Sequence, residues 1–183
     1  MPGAAPIILG IDPGLSCTGW AAITPDMILG AGTCIPKDGG TAWVRCLQLI
    51  DDIGQVIESL RRDGHSPTTI VVETPQTYTR GMSGKRSLAT LPGYGMAVCA
   101  ALVSANSHKG GCCDLIETSA SEWSRHAPAT RGDSDKRARV DYIGHLYGRA
   151  ALDGMAKAKA AAIADAVLIA RWQMLRNSDR RIA

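Results

Sequence analysis

The chain opens on Ile8-Leu9-Gly10-Ile11-Asp12-Pro13-Gly14, an apolar run at 7–11 that ends in one carboxylate and is broken at once by two turn-forming residues. Such a run reads as a buried strand, and residues 17–24 read as the strand that returns beside it. An acid at the mouth of a buried strand loses hydration, which is costly unless a positive group offsets it. Two readings of Asp12 stand side by side. It is a turn aspartate capping its own backbone, or it is a carboxylate that holds a metal or faces a phosphate.

A second acid is placed the same way. Thr69-Ile70-Val71-Val72-Glu73-Thr74-Pro75 is another β-branched run that ends in a carboxylate and is stopped by proline. A third, Asp165, lies in the last amphipathic stretch. Two strand-end acids and one helix acid can converge on a divalent cation, and this favours the metal reading of Asp12.

The remaining elements follow from hydrophobic period and breakers. Strands are expected at 7–12, 17–24 and 28–35, with Pro25-Asp26 turning the second into the third. Thr41 caps a helix to residue 62, whose apolar positions Val44, Leu47, Ile50, Ile53, Val56, Ile57 and Leu60 recur at helical spacing. The Glu73 strand then runs parallel to the first after this crossover. A Gly/Ser/Thr/basic segment at 75–93 precedes a helix at 95–107, a strand near 113–118 and a short helix at 119–126. Asp133 or Ser134 opens a helix to Tyr147, and a final helix spans 151–175. The order βββ-α-β-α-β-α-α predicts a single α/β domain over residues 1–183, with a mixed five-stranded sheet flanked by helices.

Charge distribution points to the partner. The net charge of the 183-residue chain is only +3, which excludes a polybasic tail protein. The cations cluster, however: Arg80, Lys85 and Arg86 in one segment, and Arg125, Arg131, Lys136, Arg137 and Arg139 in another. One such cluster is usually a solvated face. Two of them flanking candidate acids favour a polyanion. The six cysteines show no zinc-binding spacing and are expected as reduced thiols of an intracellular, cytoplasmic protein. No apolar run reaches membrane-spanning length.

Together the blocks I-L-G-I-D-P-G-L-S-C-T-G-W, V-V-E-T-P, D-S-D-K-R-A-R-V and A-D-A-V-L-I-A, in this order, resemble the RuvC-type Holliday junction resolvases, bacterial and phage, of the ribonuclease H-like nuclease superfamily. The resemblance implies a homodimeric endonuclease, dependent on Mg²⁺ or Mn²⁺ with two ions per site, that nicks opposing strands of a four-way or branched DNA junction in a bacterial cell or phage-infected host. It implies that Asp12 bridges the ions and that Glu73 and Asp165 complete the ligands. Lys136 would stand near the scissile phosphate. Phosphodiester hydrolysis of this kind needs hard oxygen donors and no Ser, Cys or His nucleophile.

The resemblance also implies that Gln76, Tyr78, Arg80, Lys85 and Arg86 form a loop entering the junction centre, with Tyr78 stacking on a base and the cations on phosphates. Arg125 and Arg137 are further DNA-contact candidates. One departure stands out. The family places a fourth ligand about one helical turn before the last Asp, and here Ala161 and Ala162 occupy that turn. Either three carboxylates suffice, or a ligand has been replaced, naturally or by engineering. Two alternatives therefore stay open: a catalytically impaired junction-binding protein on the same scaffold, and an RNA-processing nuclease of the related YqgF type.

Overall fold

The computed structural model describes residues 5–37, 40–74, 113–127, 133–148, 152 and 156–182. Five strands form one sheet: β1 (Ile8–Asp12), β2 (Thr18–Ile23), β3 (Ile28–Cys34), β4 (Thr69–Thr74) and β5 (Asp114–Ser119), in the order β3-β2-β1-β4-β5. β1, β2 and β3 are an antiparallel meander, while β4 and β5 join parallel to β1. The expected mixed five-stranded sheet is therefore the observed one, and each strand lies within two residues of its expected bounds.

Helix α1 (Ala42–Arg62) carries the crossover from β3 to β4. Its start is set by Thr41, whose hydroxyl accepts from the Val44 N–H, and its last turn carries Arg61 and Arg62 against the helix dipole. It buries Cys46, Leu49, Ile53, Ile57 and Leu60 on the sheet face formed by Leu9, Ile11, Ala22, Ile70 and Val72. Trp43 is 62% exposed near the N-terminus of α1. Trp123 and Trp172 are buried.

The opposite face is covered by α2 (Ala120–Trp123) with a following 3-10 turn (Ser124–His126), by α3 (Asp133–Tyr147) and by α4 (Lys157–Ile182). The last helix is displaced from its expected span of 151–175. Its first turn closes with the Ala160 N–H on the Ala156 carbonyl, and it continues beyond the end of the apolar pattern at Leu175. The extra turns are held by polar bonds, Gln173 Nε2 to Asn177 Oδ1 at 2.7 Å and Ser178 Oγ to the Met174 carbonyl at 3.1 Å. Hydrophobic period marks only the packed part of a helix.

Close approach defines this second face. A side chain at Gly10 would overlap the Ala166 carbonyl, and one at Gly19 the Ala162 carbonyl. Ala162, Ala166 and Ala170, four residues apart on one stripe, therefore lay helix backbone almost directly on strand backbone. The helix interior here is nearly all apolar, with Ile163, Val167, Leu168 and Ile169 buried on its other sides against Ile143 and Leu152.

Candidate metal centre

Side-chain alternation decides which way the acids point. Gly10 faces α4, so Asp12, two residues on, does too. On β4, Val71 belongs to the core on the α4 side, which assigns Glu73 to the same face. The β1–β4 register pairs Ile11 with Val72, so one further step brings Asp12 beside Glu73. Asp12 also pairs across the sheet with Gly19, the residue on which Ala162 rests. One turn further along α4 is Asp165. The three acids predicted from sequence thus meet at one end of the sheet.

Their electrostatics record the convergence. Burial pushes the Asp12 carboxyl from 3.8 up to about 8, reinforced by the charges of Asp165 and Glu73 and opposed by those of Arg139 and Lys136. Burial likewise raises Glu73, against the pull of a hydrogen bond from Trp123 and the charge of Arg139. The Trp123 Nε1–H donates to Glu73 Oε2 at 2.9 Å.

That indole is delivered by local chain chemistry. At the end of β5 the Glu122 carboxylate accepts from the Ser119 N–H at 2.8 Å and from the Ser119 hydroxyl at 2.9 Å. This box starts α2 immediately after the strand, and those same bonds hold Glu122 below the usual carboxylate range. Thr74 Oγ1 donates to the Thr118 carbonyl at 3.1 Å, tying the end of β4 to β5 just beyond Glu73.

Arg139 is the residue that sequence reasoning missed. Counted only among the surface cations of its cluster, it instead sits inside the site. Its Nε lies 2.9 Å from Asp165 Oδ1, with both side chains about 15% exposed (14% and 16%). Its guanidinium lies over the Trp123 ring at 5.8 Å from the centroid. The signal was available in the spacing: Arg139 falls three residues after Lys136, on the same side of a helix. Arg137, between them, turns outward to an exposed pair with Asp141 at 3.8 Å.

The other sequence candidates distribute as follows. Lys136 is exposed at the start of α3, near enough to lower the Asp12 carboxyl. Arg125 is exposed on the 3-10 turn. Ala161 is buried and Ala162 partly so, the latter with its methyl group toward Gly19. Gln76, Tyr78, Arg80, Lys85 and Arg86 lie outside the described residues, as do Arg131 and the helix expected at 95–107. Among the described residues, Cys17, Cys34, Cys46 and Cys113 form no disulfide, and no helix is long and apolar enough to cross a membrane.

A donor set of three carboxylates suits a hard divalent cation such as Mg²⁺ or Mn²⁺. Among the described residues no three acidic, His or Cys side chains are already drawn into a ligand cage. The Asp165 carboxylate is instead engaged by Arg139.

No protein-family profile matches the chain, and no curated protein sequence does. Solved structures do. Sheet order and helix placement are those of the ribonuclease H-like fold, and the solved structures of similar architecture include RuvC. Thermus thermophilus RuvC in complex with a Holliday junction substrate superposes with a TM-score of 0.63 at 17% identity, over 92% of each chain. The structure of Thermus thermophilus RuvC alone gives 0.60 at 16% identity, over 92% of this chain and 93% of that one. The yeast mitochondrial Holliday junction resolvase Ydc2 gives 0.59 at 17% identity, over 97% of this chain and 83% of that one.

Proposed function

We propose that this protein is a structure-selective endodeoxyribonuclease that binds four-way or branched DNA and cuts it by metal-dependent phosphodiester hydrolysis. The observation that carries the reading is the meeting of Asp12, Glu73 and Asp165 at one end of a RuvC-type sheet, where burial, reinforced by the charges of Asp165 and Glu73, pushes the Asp12 carboxyl up to about 8. Three acids massed beside one another are poorly stable alone and well suited to a cation.

Asp12, Glu73 and Asp165 would hold Mg²⁺ or Mn²⁺. When bound, such a cation supplies a lowered pKa for an attacking water and a counter-charge for the phosphate. The chain's own groups do the rest. Trp123 fixes the Glu73 carboxylate by its indole N–H, leaving the second carboxylate oxygen available. Lys136, exposed at the rim, meets a phosphate approaching Asp12 and stabilises the negative charge that grows on it. The protein acts as a homodimer, because a two-fold pair of sites matches the two strands of a junction. Gln76, Tyr78, Arg80, Lys85 and Arg86, with Arg125 and Arg137, would supply the DNA contacts.

Ala162 favours a second reading, a protein that binds junctions without cutting them. Its methyl group lies against Gly19, the cross-strand partner of Asp12, where a carboxylate would add a fourth donor. One assay separates the readings: a labelled four-way junction, a linear duplex and a structured RNA, each incubated in Mg²⁺ and in Mn²⁺, beside a gel shift in EDTA. Paired nicks on the junction alone are expected. Tight junction binding without cleavage selects the second reading, RNA preference selects a YqgF-type nuclease, and equal treatment of all three substrates sinks the proposal.

A further inference from the structure

Resting on the reading above, we propose that Arg139 is a positioning residue that sets the capacity of this centre at one divalent cation per chain, its guanidinium taking the electrostatic place of a second ion. Two observations meet at this residue. It makes a 2.9 Å ion pair with Asp165, both side chains largely buried. It is braced over the face of Trp123, whose indole N–H is bonded to Glu73.

Charge balance follows. Once a bound cation has displaced the Asp12 proton, three carboxylates and one guanidinium leave two negative charges, which that one divalent cation neutralises. A second would leave the cluster net positive in a poorly hydrated place, a costly state. The donor count agrees. Ala162, at the level of Asp12 on the facing helix, contributes no side-chain oxygen. Asp165 shares its carboxylate with Arg139 rather than giving it wholly to metal. A planar guanidinium is also the side chain best suited to hold a carboxylate in one orientation.

The test counts ions and does not depend on cleavage. Mn²⁺ is titrated into the full-length protein at neutral pH, free ion being read by electron paramagnetic resonance, with circular dichroism to show that each variant is folded. The wild type and Arg139→Lys are expected to bind one Mn²⁺ per chain. Arg139→Gln, which keeps bulk but not charge, is expected to bind two, the first roughly tenfold tighter because a nearby like charge is gone. Two ions on the wild type, or one on folded Arg139→Gln, overturns the inference. Should Arg139→Gln not fold, Arg139→Met decides: it removes the charge while keeping an unbranched side chain over Trp123, so two ions support the inference and one overturns it. No ion on the wild type would sink the metal reading of the function as well, whereas two would sink only this inference.

Discussion

On the α1 side of the sheet, Leu9, Ile11, Ile70 and Val72 meet Leu49, Ile53, Ile57 and Leu60, aliphatic side chain against aliphatic side chain. On the α4 side, Gly10 and Gly19 meet the carbonyls of Ala166 and Ala162, main chain against main chain. The first face gains its stability from buried apolar area, which is non-directional and tolerant of exchange. The second gives up side-chain volume to bring a helix close. Only that second face carries the acids. Carboxylates on neighbouring strands and a helix can share a small site when nothing bulky stands between their backbones.

The largest effect should come from filling that contact. Gly10→Val is expected to cost about 4 kcal/mol or more, because the clash is with main chain that cannot rotate away. Ile53→Val, on the other face, is expected to cost only about 1 kcal/mol. Urea denaturation of the two variants measures both, and similar losses would erase the distinction between the faces.

A middle effect concerns the acids that the close face gathers. Asp12 has its carboxyl raised from 3.8 to about 8 in the folded chain. Between those values the folded state keeps a proton that the unfolded state has released, so unfolding sheds a proton and rising pH favours it. In EDTA the melting temperature of the wild type should therefore fall as pH rises from about 4 to about 8 and level off above. Asp12→Asn should flatten this decline, leaving the weaker slope due to Glu73, which is raised in the same direction. Parallel melting curves for the two proteins would show that burial and the neighbouring acids do not raise the Asp12 carboxyl as described.

The smallest effect belongs to the cation that faces away. Arg137→Ala is expected to change stability by less than about 0.5 kcal/mol, since both it and its partner Asp141 are largely exposed to solvent. Its effect on DNA affinity, read as a salt-dependent shift in junction binding, would separate a DNA contact from a solvated helix pair.

The sequence carried the sheet clearly where apolar runs ended in breakers. Both acid-bearing strands were legible because Pro13 and Pro75 cut them off just beyond Asp12 and Glu73. That the two acids share a face needed the register, which no local pattern encodes. The end of α4 was illegible for a different reason: past Leu175 the helix is exposed and polar, so the hydrophobic period that marks a helix fades while the helix continues. Arg139 was hidden in a charged run, where Arg137 and Arg139 look alike in composition yet lie about 200° apart around a helix. Trp123 was legible as a landmark, but not as the donor to Glu73 fifty residues away in sequence.

The glycine–alanine contact also bears on how this protein can change over generations of mutation. The offset between α4 and β1 is indexed by main-chain atoms, much as teeth index a gear, so Asp165 can slip along Asp12 only in steps that drive a methyl group into a carbonyl. Substitutions among the surrounding aliphatic residues can accumulate without detuning the spacing of the acids. The centre is thereby insulated from drift in the rest of the interior, while a single added carbon at Gly10 or Gly19 would reach it directly.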